Sequence, residues 1–312
     1  MNNKLLISIV GPTAIGKTSL SIKLAQHFNT SIISCDSRQF YKEMQIGTAA
    51  PTPVELKAIR HYFIHNKSVK DNYTVGQFEL EAIDTLNQLF LNNDVVIMAG
   101  GSGLYVNAVV EGLDEFPDIS SEIRDNLNIE FKNNGLKSLQ DKLKSLDPIS
   151  YEAIALDNPH RVIRALEVCI GTGLPYSSFL KKEKKGRNFE VLTIGLEAER
   201  ALVYERINLR VDQMIEEGLL NEVEKLLPFK NLNALNTVGY KELFKYYDGE
   251  CTLDYAVSEI KKNTRRFAKR QLTWFRKNKK TNWFKYNTPL KEIIKVIENK
   301  KTHNPLFYKN LE

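Results

Sequence analysis

Eight residues near the start of the chain constrain its fold more than any other feature. They read Gly-Pro-Thr-Ala-Ile-Gly-Lys-Thr at positions 11–18 and fit the pattern GxxxxGK[ST] at every fixed position. The apolar run 5–10 before them predicts a buried strand, and apolar residues recur at helical spacing over 17–28 after them. A strand, a glycine-rich turn and a helix form the context that this pattern requires. The sequence therefore predicts a P-loop in an α/β protein.

This loop has the chemistry of a polyphosphate site. Its glycines let the backbone curl so that successive N–H groups converge on phosphate oxygens, and the following helix points its positive end at the same place. Lys17 adds a mobile positive charge, and Thr18 offers a hydroxyl ligand to Mg²⁺. The residues that we expect to bind the polyphosphate are Gly11, Pro12, Thr13, Ala14, Ile15, Gly16, Lys17 and Thr18. The pattern does not say whether the polyphosphate belongs to ATP or to another molecule.

Further strands and helices extend the same architecture. Residues 31–34 and 94–99 are short apolar runs that end at turn signals, and residues 75–91 have one apolar helical side. Strands that alternate with helices in this way predict a parallel sheet covered by helices. A strand at 189–196 and a helix at 200–217 continue the pattern later in the chain.

A long segment of different character separates these two parts. Residues 120–180 are polar and helical in spacing, and they contain no strong strand. We therefore predict a P-loop parallel-sheet core flanked by helices, formed by residues 1–114 and 188–312, and a helical insertion formed by 115–187. The core would end in a helical part that becomes basic between residue 222 and about residue 278.

The cysteines and the N-terminus favour a reduced, cytoplasmic compartment. Cys35, Cys169 and Cys251 are the only cysteines in 312 residues, and they lie too far apart for a CxxC pair or a disulfide framework. The apolar run at 5–10 is too short for a secretory signal, and no stretch approaches the 18 or so apolar residues of a membrane span. We expect no association with a membrane.

Positive charge is concentrated in two places. The net charge is only +6, but residues 260–286 contain eleven Lys or Arg and no acidic residue. A second basic cluster occupies residues 181–187. A solvated helix face is the simple interpretation of such a run, and binding of a polyanion is the functional one.

Two polar residues at predicted strand ends are candidates for the chemistry. The strand 94–99 ends in Gly100-Gly101-Ser102 and lacks the acidic residue with which nucleotide hydrolases hold Mg²⁺. Asp36 is the acidic residue at a strand end in this half, and the carboxyl ends of the strands border the ligand crevice. Asp36 could instead cap the next segment through the backbone N–H groups of Ser37 and Arg38. The Ser102 hydroxyl could bind substrate or cap the following helix.

Several segments in the same order resemble the tRNA dimethylallyltransferase family. The resemblance extends from about residue 5 to residue 283, nearly the whole chain. Besides the P-loop, the segments that carry it are Ile-Ser-Cys-Asp-Ser-Arg-Gln-Phe-Tyr at 33–41, Ile-Gly-Thr-Ala at 46–49, Gly-Gly-Ser-Gly-Leu-Tyr at 100–105, Asn-Pro-His-Arg-Val-Ile-Arg-Ala-Leu-Glu at 158–167, Val-Gly-Tyr-Lys-Glu at 238–242 and Lys-Arg-Gln-Leu-Thr-Trp at 269–274. The eukaryotic relatives carry a C-terminal Cys/His zinc finger, and its lack here favours the bacterial type.

The resemblance implies a reaction and the residues that perform it. Members of the family transfer a dimethylallyl group from dimethylallyl diphosphate to the exocyclic amine of the adenosine just 3′ of the tRNA anticodon, and diphosphate leaves. The donor's diphosphate then occupies the P-loop, with Lys17 and a Mg²⁺ ion on Thr18. Asp36 is the general base, Ser102 stands where the family usually has threonine, and Arg210 faces the diphosphate. The implied catalytic residues are thus Lys17, Asp36, Ser102 and Arg210.

The resemblance also implies contacts with the tRNA anticodon stem-loop, chiefly through the insertion and the stretch after the base. The residues concerned are Asp36, Ser37, Arg38, Gln39, His160, Arg161, Val162, Ile163, Arg164, Val238, Gly239, Tyr240, Lys241, Arg270 and Gln271. An adenine stacked in the anticodon loop must be extruded to react, and aromatic side chains can offset that cost by stacking. Phe40, Tyr41, Tyr105 and Tyr240 are the candidates, with a core position as the simpler alternative. We expect a monomer.

Three other functions remain open from the residues alone. A small-molecule kinase with ATP in the P-loop explains the core but not the insertion or the later segments. An isopentenyltransferase that modifies free adenine nucleotides shares the roles of the P-loop and Asp36 but has no use for the long basic C-terminal part. In an RNA-binding module with a regulatory P-loop, Asp36 and Arg210 would be dispensable.

Overall fold

The computed structural model describes residues 4–180 and 186–302. Its contacts divide the chain into two compact units. One unit comprises the residues up to Val110 together with those from Arg187 onward, and the other comprises Glu111–Gly186. The basic cluster expected at 181–187 lies outside the described residues except for its last two positions.

The first unit is built on a six-stranded parallel sheet with the strand order β3-β2-β4-β1-β5-β6. The strands are β1 Leu5–Val10, β2 Ile32–Ser34, β3 His61–Tyr62, β4 Val95–Ala99, β5 Glu190–Glu197 and β6 Asn282–Lys285. The expectation of an α/β fold with a parallel sheet is confirmed. Two strands were not expected: β3 has only two residues, and β6 is a partly exposed edge strand at the end of the basic run.

Helices cover both faces of this sheet. Those of the first unit are α1 Lys17–His27, α2 Pro53–Ala58, α3 Val75–Asn92, α4 Gly103–Glu111, α8 Arg200–Glu216, α9 Leu219–Leu226, α10 Tyr240–Tyr247, α11 Leu253–Phe275 and α12 Leu290–Thr302. The second unit contributes α5 Ser121–Leu146, α6 Pro148–Ala153 and α7 Pro159–Thr172.

The strand residues alternate between two cores because successive side chains of a strand point to opposite faces. Leu6 and Val10 of β1 pack with α3 and α4 on one face. Leu5, Ile7 and Ile9 pack with α1 and α12 on the other. Burial on both faces explains why the strand sequences are continuously apolar rather than alternating. Because the strands are parallel, their carboxyl ends meet at one edge of the sheet.

The second unit has a core of its own. Leu139 and Leu143 of α5 pack against Val162 and Leu166 of α7. The buried Asp147 carboxylate accepts hydrogen bonds from the backbone N–H and the hydroxyl of Ser150, and from the same two groups of Ser177. These four bonds fix the start of α6 against the chain beyond α7.

A search of the described residues for a helix that could span the bilayer gave no candidate of sufficient length and apolar character.

Candidate active site

The predicted P-loop, residues 11–18, lies between β1 and α1, and its backbone favours glycine at two positions. Gly11 has a φ of 143°, and a Cβ atom there would lie 2.6 Å from the backbone oxygen of Leu196 in β5. Gly16 has a φ of 107° and immediately precedes the first residue of α1. Both positions favour glycine because other residues rarely adopt these angles. The loop therefore turns tightly at the carboxyl edge of the sheet.

Lys17 turns back onto this loop. Its Nζ donates hydrogen bonds to the backbone oxygens of Gly11, at 3.1 Å, and Pro12, at 2.7 Å. Desolvation lowers the pKa of the amine to about 8; nearby Asp36 opposes this shift and Arg210 adds to it. An amine held by two neutral carbonyls in a desolvated position gains when a polyanion replaces them.

Asp36 follows β2 at the same edge of the sheet. Its Oδ1 accepts a hydrogen bond from the backbone N–H of Arg38 at 3.1 Å. Desolvation raises the pKa of the carboxyl group, although the Arg38 N–H and the charge of Lys17 favour the ionised form. A carboxylate with a raised pKa is a better proton acceptor than one in water. The cap through the Arg38 N–H is therefore present.

Ser102 connects the ends of β2 and β4. Its hydroxyl accepts a hydrogen bond from the backbone N–H of Ser37 at 3.0 Å and donates one to the Ser37 hydroxyl at 3.1 Å. Of the caps that the sequence left open, the Ser37 N–H therefore bonds to Ser102 and not to Asp36, and the Ser102 hydroxyl bonds to Ser37.

These strand ends border a cavity of about 510 Å³. Asp36, Ser102 and Arg210 contribute to its polar lining. Its large apolar lining residues are Leu104, Tyr105, Ile207, Val211, Met214, Val238, Ile260, Phe267 and Trp274. A second cavity, of about 610 Å³, lies near the start of α8, and none of the four predicted catalytic residues lines it. Of these two cavities, only the first is lined by Asp36, Ser102 and Arg210.

Arg210 brings a free cation to this cavity. Desolvation lowers its pKa, neighbouring Arg206 acts in the same direction, and Glu55 opposes both. Within residues 4–180 and 186–302, the Arg210 guanidinium has no protein hydrogen-bond acceptor or ion-pair partner. A desolvated and unpaired guanidinium is costly unless a ligand neutralises it, so this position suits an anion.

Two glutamines expected to contact tRNA are committed to the protein backbone. Gln271 is buried; its Oε1 accepts a hydrogen bond from the Thr13 N–H at 2.8 Å, and its Nε2 donates to the Gly101 oxygen at 2.9 Å. Gln39 donates from Nε2 to the oxygens of Thr48 and Ala49 at 3.2 and 3.1 Å. Both side chains connect loops of the protein, and their contact with RNA stays a prediction. The Thr13 N–H is thus bonded to a side chain of the protein.

Three further side chains among the expected tRNA contacts are buried. Val162 and Ile163 belong to the core of the second unit, and Tyr240 is fully buried in the first. Phe40 is fully buried as well, and Tyr41 is nearly so. These five side chains are part of the hydrophobic cores and are not exposed for direct contact with RNA, which corrects the prediction.

The remaining expected contacts lie in two places. The cavity is lined by Ser37, Arg38, Val238, Gly239, Lys241 and Arg270. His160 and Arg161 are exposed in the first turn of α7, where the Asn158 side chain accepts hydrogen bonds from their backbone N–H groups. Arg164 on the same helix pairs with Glu167 at 3.1 Å.

Glu222 is a site-supporting residue that the sequence did not reveal. It accepts hydrogen bonds from the backbone of residues 45–47 and from Tyr240. An acidic residue in the first turn of a helix is ordinary, so the pattern alone gave no reason to single it out.

Comparison with known proteins agrees with the resemblance of the sequence motifs. The protein-family model described as IPP transferase matches residues 39–278. A tRNA dimethylallyltransferase of Flavobacterium johnsoniae is 56% identical over 306 residues, which cover 96% of this chain and 99% of that protein. One of Christiangramia forsetii is 58% identical over 295 residues, which cover 95% and 98%.

Solved structures of proteins with related names are similar to this chain as well. The full-length tRNA isopentenylpyrophosphate transferase of Bacillus halodurans matches with a TM-score of 0.71 and 37% identity, covering 96% of each chain. A eukaryotic dimethylallyltransferase acting on tRNA matches with a TM-score of 0.82 over 97% of this chain and 80% of that one; at 24% identity this likeness concerns the fold alone. By its family-model match and its full-length relatives, the chain belongs to the tRNA dimethylallyltransferase family of IPP transferases.

Proposed function

We propose that this enzyme transfers the dimethylallyl group of dimethylallyl diphosphate to the exocyclic amine of the adenosine just 3′ of the anticodon in tRNA. The observation that carries the proposal is one cavity that combines the Asp36 carboxylate, the unpaired Arg210 guanidinium and a large apolar wall. An allylic diphosphate has an anionic end and an apolar end, and transfer to an amine requires a base. The cavity offers a matching group for each of these needs.

The diphosphate end binds at the P-loop. Lys17 leaves the Gly11 and Pro12 oxygens and pairs with the diphosphate, and Arg210 supplies a second cation. Both cations act on charge that grows on the leaving oxygen as the C–O bond breaks, which is where electrostatic stabilisation accelerates a reaction. The side chains of Val211, Met214 and Phe267 are suited to enclose the five-carbon chain.

Thr18 is suited to a Mg²⁺ ion that is shared with the diphosphate. Within residues 4–180 and 186–302, no group of three or more His, Cys, Asp or Glu side chains could hold a metal ion. Mg²⁺ in phosphate sites commonly has one or two protein ligands, with substrate oxygens and water completing the set. A single hydroxyl at the first turn of α1 fits that arrangement, and the ion would neutralise part of the diphosphate charge.

Asp36 acts as the base. The lone pair of the adenosine amine forms a bond to the allylic carbon while the bond from that carbon to the diphosphate oxygen breaks. The proton that the amine loses passes to the Asp36 carboxylate, whose raised pKa makes it a competent acceptor. The bond between Ser102 and Ser37 fixes the segment that follows Asp36 and so orients the carboxylate.

The tRNA contributes an extruded adenine and a charged backbone. Extrusion costs a few kcal/mol, which stacking and backbone contacts can offset. Arg270 and Lys241 line the cavity and are exposed, so they can meet phosphates near the extruded nucleotide. The exposed His160 and Arg161 of the second unit are suited to bind the anticodon stem-loop.

The test is an assay with the purified chain and labelled substrates. Labelled dimethylallyl diphosphate is incubated with unmodified tRNA, with free AMP and with no acceptor, and γ-labelled ATP is tested in parallel. We expect label in tRNA alone, and nucleoside mass spectrometry should then find dimethylallyladenosine next to the anticodon. Label in AMP but not in tRNA, or phosphate transfer from ATP without prenyl transfer, would replace the proposed function.

A further inference from the structure

One carboxylate in the first unit holds three consecutive backbone amides. Glu222 lies in the first turn of α9, and its Oε2 accepts hydrogen bonds from the N–H groups of Gln45 and Ile46 at 2.9 and 2.7 Å. Its Oε1 accepts a third from Gly47 at 2.9 Å and a fourth from the Tyr240 hydroxyl at 2.6 Å. Charge-assisted bonds of this length are among the strongest that a protein backbone makes.

The segment that Glu222 holds is a wall of the cavity. Gly47, Thr48 and Ala49 line it, on the same cavity as Asp36. We call residues 45–49 the acceptor wall. Its geometry is tight, because a Cβ atom on Gly47 would lie 2.6 Å from the Tyr240 ring. Ala49 adopts a positive φ of 48°, which an alanine holds only when its surroundings enforce it.

A continuous series of hydrogen bonds connects this wall to Asp36. The backbone oxygens of Thr48 and Ala49 accept from the Gln39 side chain, at 3.2 and 3.1 Å. The Gln39 N–H in turn donates to the Asp36 backbone oxygen at 3.2 Å. A shift of the acceptor wall would therefore displace the turn that carries the Asp36 carboxylate.

The part of the cavity that would bind the allylic diphosphate is held in place by other residues. The P-loop is held by Gln271 through the Thr13 N–H, and Arg210 stands on α8. None of the hydrogen bonds that Glu222 makes reaches Thr13, Lys17 or Arg210. Replacement of Glu222 should therefore affect the reaction of the adenosine and leave the binding of the allylic diphosphate unchanged.

We propose that Glu222 is a positioning residue for proton transfer: it fixes the acceptor wall, and through Gln39 it sets the position of Asp36 against the adenosine amine. The inference rests on the proposed function, because it assigns Glu222 a part in the same reaction. Glu222 touches no reacting atom. It acts on the rate of the chemical step and leaves the binding of the allylic diphosphate unchanged.

The test compares Glu222→Gln with the wild-type enzyme in single-turnover and steady-state transfer to tRNA. Glutamine keeps the size of the side chain but replaces one acceptor oxygen by a donor amide, which opposes the N–H groups of the acceptor wall. We expect kcat to fall at least about tenfold, while the KM and Kd for dimethylallyl diphosphate stay within about twofold. Glu224→Gln, an exposed position on the same helix, is the matched control and should match the wild type.

The outcomes separate the inference from the function on which it rests. Failure of the wild type to prenylate tRNA would reject the proposed function. A wild-type kcat in Glu222→Gln, or an equal loss of donor affinity and kcat, would overturn the positioning role. If Glu222→Gln does not fold, Tyr240→Phe removes the fourth bond, and a kcat about two- to fivefold lower at unchanged donor affinity is expected. An unchanged kcat in that variant would overturn the proposal too.

Discussion

The side-chain amide of Gln271 forms hydrogen bonds with two glycine-rich loops. Its Nε2 lies 2.9 Å from the backbone oxygen of Gly101, in the loop after β4, and its Oε1 lies 2.8 Å from the backbone nitrogen of Thr13, in the P-loop. Both loops belong to the wall of the same cavity. The width of the site at this point is therefore set by a side chain from α11, which lies outside the sheet.

Replacement of this glutamine should weaken the fold and the activity together. Gln271→Leu fills similar space but leaves the Thr13 N–H and the Gly101 oxygen without partners, at about 1–3 kcal/mol for each group. We expect the free energy of unfolding to fall by about 2–6 kcal/mol. Urea titration and the prenylation assay measure the two effects. Gln213→Leu, at an exposed position of α8, is the control and should change stability by less than about 0.5 kcal/mol.

Asp36→Asn should lose rate and gain stability. Without its base the enzyme loses about 10²- to 10⁴-fold in kcat, while tRNA binding persists. The raised pKa of Asp36 means that the folded protein disfavours the ionised form, so ionisation costs stability once the pH exceeds the ordinary aspartate range. At neutral pH the variant should therefore melt at a higher temperature than the wild type, and the difference should disappear in acid. A wild-type rate, or a lower melting temperature at neutral pH, would contradict this account.

The affinity for the donor should depend on the protonation of Lys17. The pKa of this amine is about 8, so it loses its charge as the pH rises above that value, and the diphosphate loses a partner. We expect the Kd of dimethylallyl diphosphate to rise by up to about tenfold per pH unit above about 8. Lys17→Met should bind weakly with a flat profile, because the titrating group is gone. Parallel profiles for the two proteins, measured by calorimetry, would exclude Lys17 as the titrating group.

The same shift affects the free enzyme in the opposite direction. Between the folded pKa of about 8 and the ordinary lysine pKa of 10.5, the unfolded chain binds more protons than the folded one. Stability contributed through Lys17 therefore rises with pH across that window. Binding of the donor therefore favours the charged amine, whereas folding favours the neutral amine. Such a conflict is common where a desolvated charged group binds a ligand.

The sheet was predictable where its strands are buried on both faces. β1 and β4 are continuous apolar runs that end in glycine-rich turns, and both signals are local. β3 escaped prediction because two residues carry no pattern. β6 escaped because Asn282 and Lys285 flank its aromatic pair, and four such residues carry no clear strand pattern. Local sequence therefore identified the centre of the sheet but not its two edges.

The positions of site residues were predictable only where an ionisable residue directly follows a predicted strand or turn. Asp36 and Lys17 follow from the strand ends that carry them. Gln39 and Gln271 stood in the expected motifs, yet a motif does not say whether an amide binds a ligand or a neighbouring loop. The partner of Gln271 in the P-loop lies 258 residues away, and such a contact has no trace in local spacing. Glu222 escaped prediction for the same reason.

The basic side of α11 should give tRNA binding its salt dependence. Arg270 is exposed and lines the cavity, so Arg270→Gln should remove about one phosphate contact. Each such contact contributes about 0.7–0.9 to the slope of log affinity against log salt concentration. We expect the slope measured by filter binding to decrease by that amount, with similar losses for different tRNAs. Lys230→Gln, whose lysine is paired with Asp248 at 2.7 Å, should leave the slope unchanged, and equal slopes in all three proteins would show that Arg270 contacts no phosphate.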